Sequence, residues 1–423
     1  MVNFAKDTLA RVQSLLPLVF RRWGIFFLLI GPGIITSNVD NDAGGITTYS
    51  LAGAQFGLTL LWTLLPITVA LIIIQEMCAR MGVVSGKGLA DLIRERFGAK
   101  ITFYLMVVLF LTNLGNTVSE FAGVAASLEI FGVSKYVSVP LAAAFVWWLV
   151  VKGNYQSVEK AFLFACLFYL SYIISGFMGN PDWGLVRTAF LTPRMDFSPA
   201  FLTMVVGIVG TTIAPWMQFY LQSSVVDKGL KAEDYPYTRV DVIFGSLMVN
   251  VIAFFIIMLC AITLYPQGIK IESAKDAALA LAPLAGEYCS WLFAIGLLNA
   301  SLFAASILPL STSYTICEAF GWEASLNRKF TEAPQFYGLY SLTILLGAGI
   351  ILLPDVPLIA IMFYSQVLNG LLLPFILIFM LLLINDPKVM GSYRNGRVMN
   401  ILSWSTVVML VFLSTIMVIT SLL

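Results

Sequence analysis

Residues 31–50 read GPGIITSNVDNDAGGITTYS. An apolar run is cut at its centre by Asn38, Asp40, Asn41 and Asp42, and then by Gly44 and Gly45. Glycine costs roughly 1 kcal/mol relative to alanine inside a helix, so the stretch predicts two half-helices joined by unwound backbone. A second stretch, residues 207–224, reads GIVGTTIAPWMQFYLQSS and breaks its own apolar run at Thr211, Thr212, Ala214 and Pro215. Pro215 has no N–H to give the carbonyl of Thr211, one turn earlier.

Outward from these two stretches the chain is apolar almost throughout. Of its 423 residues 59% are hydrophobic and 11% charged, where a soluble domain carries about 25% charged residues. Mean hydropathy is +0.91. The apolar runs are about 20 residues long, the length of a membrane-crossing helix, rather than the alternating ten-residue segments of a barrel. The reading is an all-α integral membrane protein with eleven spans, near 24–50, 57–79, 102–128, 137–151, 160–178, 199–224, 241–264, 284–317, 336–353, 357–384 and 400–422. Residues 1–22 read as a cytosolic amphipathic lead-in without a cleavable signal.

With the N-terminus inside, only Lys135, Arg187, Arg194, Lys270 and Lys275 of the 24 Lys and Arg residues fall on the outer side. The opposite orientation reverses that bias, so the positive-inside rule places the N-terminus in the cytoplasm and the C-terminus outside the plasma (inner) membrane.

The two broken spans are the first and the sixth. Five spans is an odd number, so a repeat of that length re-enters the membrane inverted. Paired, interrupted helices in matching places of two inverted halves point to a transport site near the midplane. The expected organisation is one transporter domain, 1–423, with repeats over about 24–180 and 199–384 and an extra helix at 400–422.

Several chemistries are excluded. There is no histidine, hence no imidazole ligand, no Ser-His or Cys-His nucleophile and no histidine proton relay. A net charge of +1 gives no case for nucleic acid. Cys78, Cys166, Cys260, Cys289 and Cys317 lack C-x-x-C spacing and read as small hydrophobes. The chain is not expected to be an enzyme or to hold a resident cofactor.

Asp42 is the central candidate, because an ionised carboxylate in the membrane interior is functional by default. The structural alternative is a carboxylate that merely caps a half-helix. Asp40 and Asn41 add oxygens beside it. Asn113, Asn116, Thr117 and Glu120 fall on one face of the third span, fit either for a permeation path with proton relay or for a structural network. Gln218 and Gln222 make a polar stripe on the sixth span, Asn299 and Ser301 on the eighth, and Gln366 and Asn369 on the tenth. Glu76 and Arg80, one turn apart, read as a snorkelling pair at a helix end.

At these residues the sequence resembles the Nramp family of divalent metal transporters, most of all its magnesium-transporting branch. The matching segments are Gly31-Pro32-Gly33, the run Ala52 to Gly57, Gly86-Lys87-Gly88-Leu89-Ala90, and Ser365-Gln366-Val367 followed by Leu373-Pro374-Phe375. The resemblance implies the fold of the bacterial leucine transporter, with inverted five-helix repeats, broken first and sixth helices and an eleventh helix. It implies a divalent metal ion as substrate, the lipid bilayer as setting and a functional monomer. The metal positions it implies are Asp42, Gly45, Thr211, Ala214 and Gln366, with Asp40 and Asn41 nearby. Glu120, Gly123, Trp216, Asn116 and Gln218 fall on its permeation path or proton route.

Departures from the family pattern carry the specificity. The family's Asp-Pro-Gly-Asn is Asp42-Ala43-Gly44-Gly45 here, so the asparagine ligand is lost at Gly45. Its Met-Pro-His is Ala214-Pro215-Trp216, and its paired acids on the third span are Glu120 and Gly123. A thioether favours softer transition metals. An all-oxygen pocket of one or two carboxylates suits partly hydrated Mg²⁺, and Mn²⁺ with it. The expected function is import of Mg²⁺ or Mn²⁺ through a widened pocket with weak or no proton coupling. A proton-coupled Mn²⁺/Fe²⁺ symporter is the nearest alternative, and an amino-acid or organic-cation transporter a more distant one.

Overall fold

The computed structural model describes residues 32–152, 166–326 and 328–422. The amphipathic lead-in, the start of the first expected span and part of the fifth lie outside those residues. Among the described residues the chain is helical, with no strand.

The first span is broken, but at residues 40–42: Gly44 and Gly45, where the sequence predicts unwound backbone, lie within the second half-helix. Helix α1 runs Pro32–Val39 and α2 runs Ala43–Phe56. Asp42 between them is extended, at φ −74° and ψ −172°, and its carboxylate caps α2. A 3₁₀ segment, Gly57–Thr63, then leads into α3, Leu64–Ser85. After a short helix α4, Leu89–Phe97, comes α5, Ala99–Glu129, the long third span. Helices α6, Lys135–Val151, α7, Leu170–Met178, and α8, Trp183–Leu191, complete the first half.

The sixth span divides into α9, Pro199–Thr212, and α10, Pro215–Asp227. Ile213 and Ala214 leave helical geometry between them, and Pro215 opens α10 at a position where a missing N–H costs nothing. Then follow α11, Tyr235–Thr263; α12, Cys289–Phe320; α13, Pro334–Ile351; α14, Leu358–Ile384; and α15, Arg397–Leu422.

Eight helical stretches among the described residues are long and apolar enough to cross a membrane, and Lys135–Val151 and Leu167–Met178 are shorter apolar helices. The difference from eleven expected spans has local causes. Ala43–Ser85 runs on as one 43-residue helical stretch, α1 is only eight residues, and the fifth span is partly undescribed.

The broken sixth span lies at the centre. Its apolar window, within Pro199–Asp227, is 89% buried, whereas that of Arg397–Thr420 is 28% buried and sits at the periphery. Close approach of α9 to α14 depends on Gly210, where a Cβ would strike the Gln366 carbonyl and the Gly370 backbone. That crossing brings Gln366 level with the break. Cys78, Cys260, Cys289 and Cys317 are buried free thiols.

Candidate functional site

The two breaks meet. Tyr49 on α2 shares a 2.8 Å hydrogen bond with Thr212 at the end of α9, and Thr211 faces Gly45. A Cβ on Gly45 would lie 2.6 Å from the Asp40 carbonyl oxygen, 3.2 Å from Thr211 Oγ1 and 3.5 Å from Asp42 Oδ1. Three oxygens of different kinds thus converge on a bare α-carbon, a cluster only glycine accommodates. The volume freed at Gly45 is filled by the closing backbone, so the widened pocket expected there is absent from this conformation.

Asp42 Oδ1 accepts from Gly45 N at 2.7 Å. This is the capping role foreseen as the structural alternative. Asp42 and Asp40 are 4% and 2% exposed. Both carboxylate oxygens of Asp40, both side-chain polar atoms of Asn41 and the Thr211 hydroxyl are buried without a partner among the described residues. Unsatisfied buried polar groups are scarce in folded proteins, and each asks for an explanation such as an ion or water. Five such atoms around one break in a membrane span mark a site for a hydrophilic occupant.

The third span approaches from the other side. Ala43 N–H donates to Glu120 Oε2 at 3.3 Å, which sets Glu120 beside Asp42 at the first turn of α2. Asn113 donates to Thr312 on α12 at 3.2 Å. Asn116 and Asn369 exchange amide hydrogen bonds at 3.0 and 2.9 Å, and Asn369 donates to Gln366 Oε1 at 2.9 Å. Gln366 itself presses on Gly44, whose Cβ position its amide occupies. A continuous amide chain therefore runs from α5 through α14 to the break, and the polar face of the third span serves as site and scaffold together.

Four further expected positions are engaged in packing or hydrogen bonds. At Gly123 the helices pack closely, since a Cβ there would collide with Ser301 Oγ and Ala43 Cβ. Gln218 faces α3, taking weak contacts from Gln75 at 3.4 Å and Cys78 at 3.5 Å while donating to the Ala214 carbonyl at 3.1 Å. The Ala214 carbonyl also accepts from Met217 N at 3.1 Å, so it is already committed within α10. Trp216 is wholly buried, its ring tilted against that of Tyr220 with centroids 6.2 Å apart, and its carbonyl accepts from Ser311. Gln222 likewise bridges to the Lys87 carbonyl.

Sequence reading missed Tyr169, whose hydroxyl donates to the Asn41 carbonyl at 2.6 Å, and the Tyr49–Thr212 link. Nothing in their local sequence distinguishes these tyrosines from ordinary core aromatics. The Glu76–Arg80 pair is also corrected. Rather than snorkelling, both are buried, held by the Tyr235 hydroxyl, the Tyr393 carbonyl and Asn395.

No group of three His, Cys, Asp or Glu side chains among the described residues is placed to hold a metal by itself. A cation at the break would rest on one or two carboxylates, neutral oxygens and its own water.

Comparison with known proteins supplies the wider frame. Residues 33–420 match the family model "Natural resistance-associated macrophage protein-like", Nramp. The divalent metal cation transporter MntH of Deinococcus radiodurans is 26% identical over 401 residues, covering 91% of this chain and 88% of that protein. MntH of Caldanaerobacter subterraneus subsp. tengcongensis is 28% identical over 402 residues, covering 91% and 92%. Among solved structures, the Eremococcus coleocola manganese transporter superposes with a TM-score of 0.77 at 21% identity, over 94% of this chain and 87% of that one. MhsT, solved in complex with L-phenylalanine, superposes with a TM-score of 0.59 at 16% identity, over 92% of this chain and 97% of that one. These likenesses give the leucine-transporter type of fold.

Proposed function

The chain belongs to the Nramp family, a family of membrane transporters for divalent metals and not of enzymes, and from that membership we propose that it imports partly hydrated Mg²⁺, and also Mn²⁺, by alternating access with weak or no proton coupling. Asp42 is the charged ligand in this reading. Asp40, Asn41, Thr211 and Gln366 supply further oxygens directly or through water. The observation that carries it is the cluster of unpartnered oxygens at the break, with neither sulfur nor imidazole at Ala214, Trp216 or Gly45. Oxygen-only sites of low carboxylate count suit hard cations that keep part of their water.

The driving force follows from charge. Each elementary charge crossing 100 mV is worth about 2.3 kcal/mol, so a dication gains about 4.6 kcal/mol, roughly 10³-fold accumulation without a proton. The proposal includes a cytoplasmic N-terminus, an outer C-terminus, inverted repeats over about 24–180 and 199–384 with an eleventh helix, and action as a monomer in the plasma membrane without a resident cofactor.

One observation favours a second reading. Glu120 Oε1 is buried without a partner at the first turn of α2, beside Asp42, a pair of carboxyls suited to relay protons in a Mn²⁺/Fe²⁺ symporter. An organic solute has less support, because Gln366 and the Asp40 carbonyl fill the space at Gly44 and Gly45. Uptake of Mg²⁺, Mn²⁺ and Ca²⁺ into proteoliposomes with internal pH recorded separates the readings. Magnesium entry without acidification is expected. Exclusion of Mg²⁺ together with metal-triggered acidification overturns the proposal in favour of the symporter.

A further inference from the structure

On the flank of the bundle α3, α8 and α11 enclose a cavity of about 730 Å³ with almost wholly apolar walls. None of its lining residues belongs to the broken spans. On α3 it extends from Leu64 to Ile72, about 12 Å of helix. Its outer edges, Leu65, Val69, Leu247 and Val251, are exposed apolar side chains, as a surface meeting hydrocarbon requires. Phe190 on α8 packs edge-on against Phe254 of α11 at 5.3 Å, which closes one end.

Three polar side chains interrupt this apolar lining, of which Thr68 is satisfied within α3 by the Leu64 carbonyl at 2.6 Å. Arg187, on α8, stands at the cavity and forms none of the ion pairs among the described residues. Asn250, on α11, is 6% exposed. Its amide donates to the Ser246 carbonyl at 3.0 Å, while its Oδ1 is buried without a partner, and the residue lines the cavity. A lone cation, an unsatisfied acceptor and a channel of apolar wall occur together in one cavity on the bilayer face.

We infer that this cavity holds one anionic phospholipid of the phosphatidylglycerol type. An acyl chain lies between α3 and α11, the phosphate pairs with Arg187, and a glycerol hydroxyl of the headgroup donates to Asn250 Oδ1. A guanidinium matches a phosphate in charge and in donor geometry. A choline lipid brings no net charge and no donor, and a second copy of this chain would have to bring a carboxylate into an apolar slot. The site is independent of the ion site, so its failure leaves the transport reading untouched.

The test uses the full chain in nanodiscs of phosphatidylcholine with a minority of phosphatidylglycerol, followed by native mass spectrometry. One phosphatidylglycerol retained per chain is expected. Arg187→Gln reduces retention roughly fivefold or more, the scale of one cation at a lipid surface. Val69→Trp, which fills the cavity from an exposed wall without touching the packed interior, lowers it as well. Metal uptake and thermal unfolding stay at wild-type values in both variants. Equal retention of phosphatidylcholine, undiminished retention in both variants, or a lipid-free dimer in place of a lipid adduct overturns the inference.

Discussion

Asp42 and Gly45 are joined by a 2.7 Å hydrogen bond from the Gly45 N–H to Asp42 Oδ1, and the same glycine lets the Asp40 carbonyl and the Thr211 hydroxyl close in. One residue without a side chain therefore sets the distance between the two broken spans. The carboxylate that caps α2 is anchored there through Oδ1.

Replacement of Gly45 tests that spacing. Gly45→Ala puts a methyl 2.6 Å from the Asp40 carbonyl, so the backbone at the break must shift. Overpacking of this kind costs about 1–3 kcal/mol. The expected outcome is a lowered melting temperature in detergent together with at least a roughly tenfold loss of Mn²⁺ uptake, equivalent to ~1.4 kcal/mol. Uptake at the wild-type rate would mean that the oxygens at Gly45 do not form the site.

Glu120 offers a test of coupling. Its Oε2 accepts from Ala43 N–H at 3.3 Å, a role that an amide oxygen fills equally well. Glu120→Gln should therefore keep metal uptake within roughly threefold, under 1 kcal/mol, with internal pH flat in both proteins. Acidification in the wild type that vanishes in Glu120→Gln would identify this carboxyl as a proton carrier.

Asp241 anchors the short half-helix α1. It accepts from Gly33 N at 2.7 Å and Ile34 N at 3.3 Å, two of the N–H groups that a helix leaves unpaired at its start. Asp241→Ala orphans both in a buried setting, at roughly 1–3 kcal/mol each. Thermal unfolding should shift down by several degrees, and Asp241→Asn, which retains an acceptor, should recover most of the loss. Equal melting of the alanine and asparagine variants would show that the cap contributes little.

Much of this was legible in the sequence because local chemistry enforces it. The polar run Asp40-Asn41-Asp42 and the proline at 215 mark the two breaks, although Gly44 and Gly45 are themselves helical, and Asp42 and Gln366 reach the break as expected. Other positions depend on distant partners. Gln218 and Trp216 are placed by Gln75 on α3 and Ser311 on α12. Gly123 is closed by Ser301 and Ala43, and Arg80 is buried by a loop more than 300 positions along the chain. Residue type cannot announce such contacts. The Asn116–Asn369–Gln366 chain could be suspected from two polar faces in apolar spans, but their pairing required the packing of α5 against α14.

The central claim is that the Asp42 charge, beyond its capping contact, binds the metal ion. Asparagine caps a helix about as well as aspartate but carries no charge, so Asp42→Asn separates the two roles. Mn²⁺ uptake into proteoliposomes is the measurement, with thermal unfolding as the control. The account predicts unchanged unfolding and a roughly 100-fold or greater loss of uptake, about 2.7 kcal/mol or more. Uptake within about twofold of the wild type would contradict it, leaving Asp42 a cap and the ion site elsewhere.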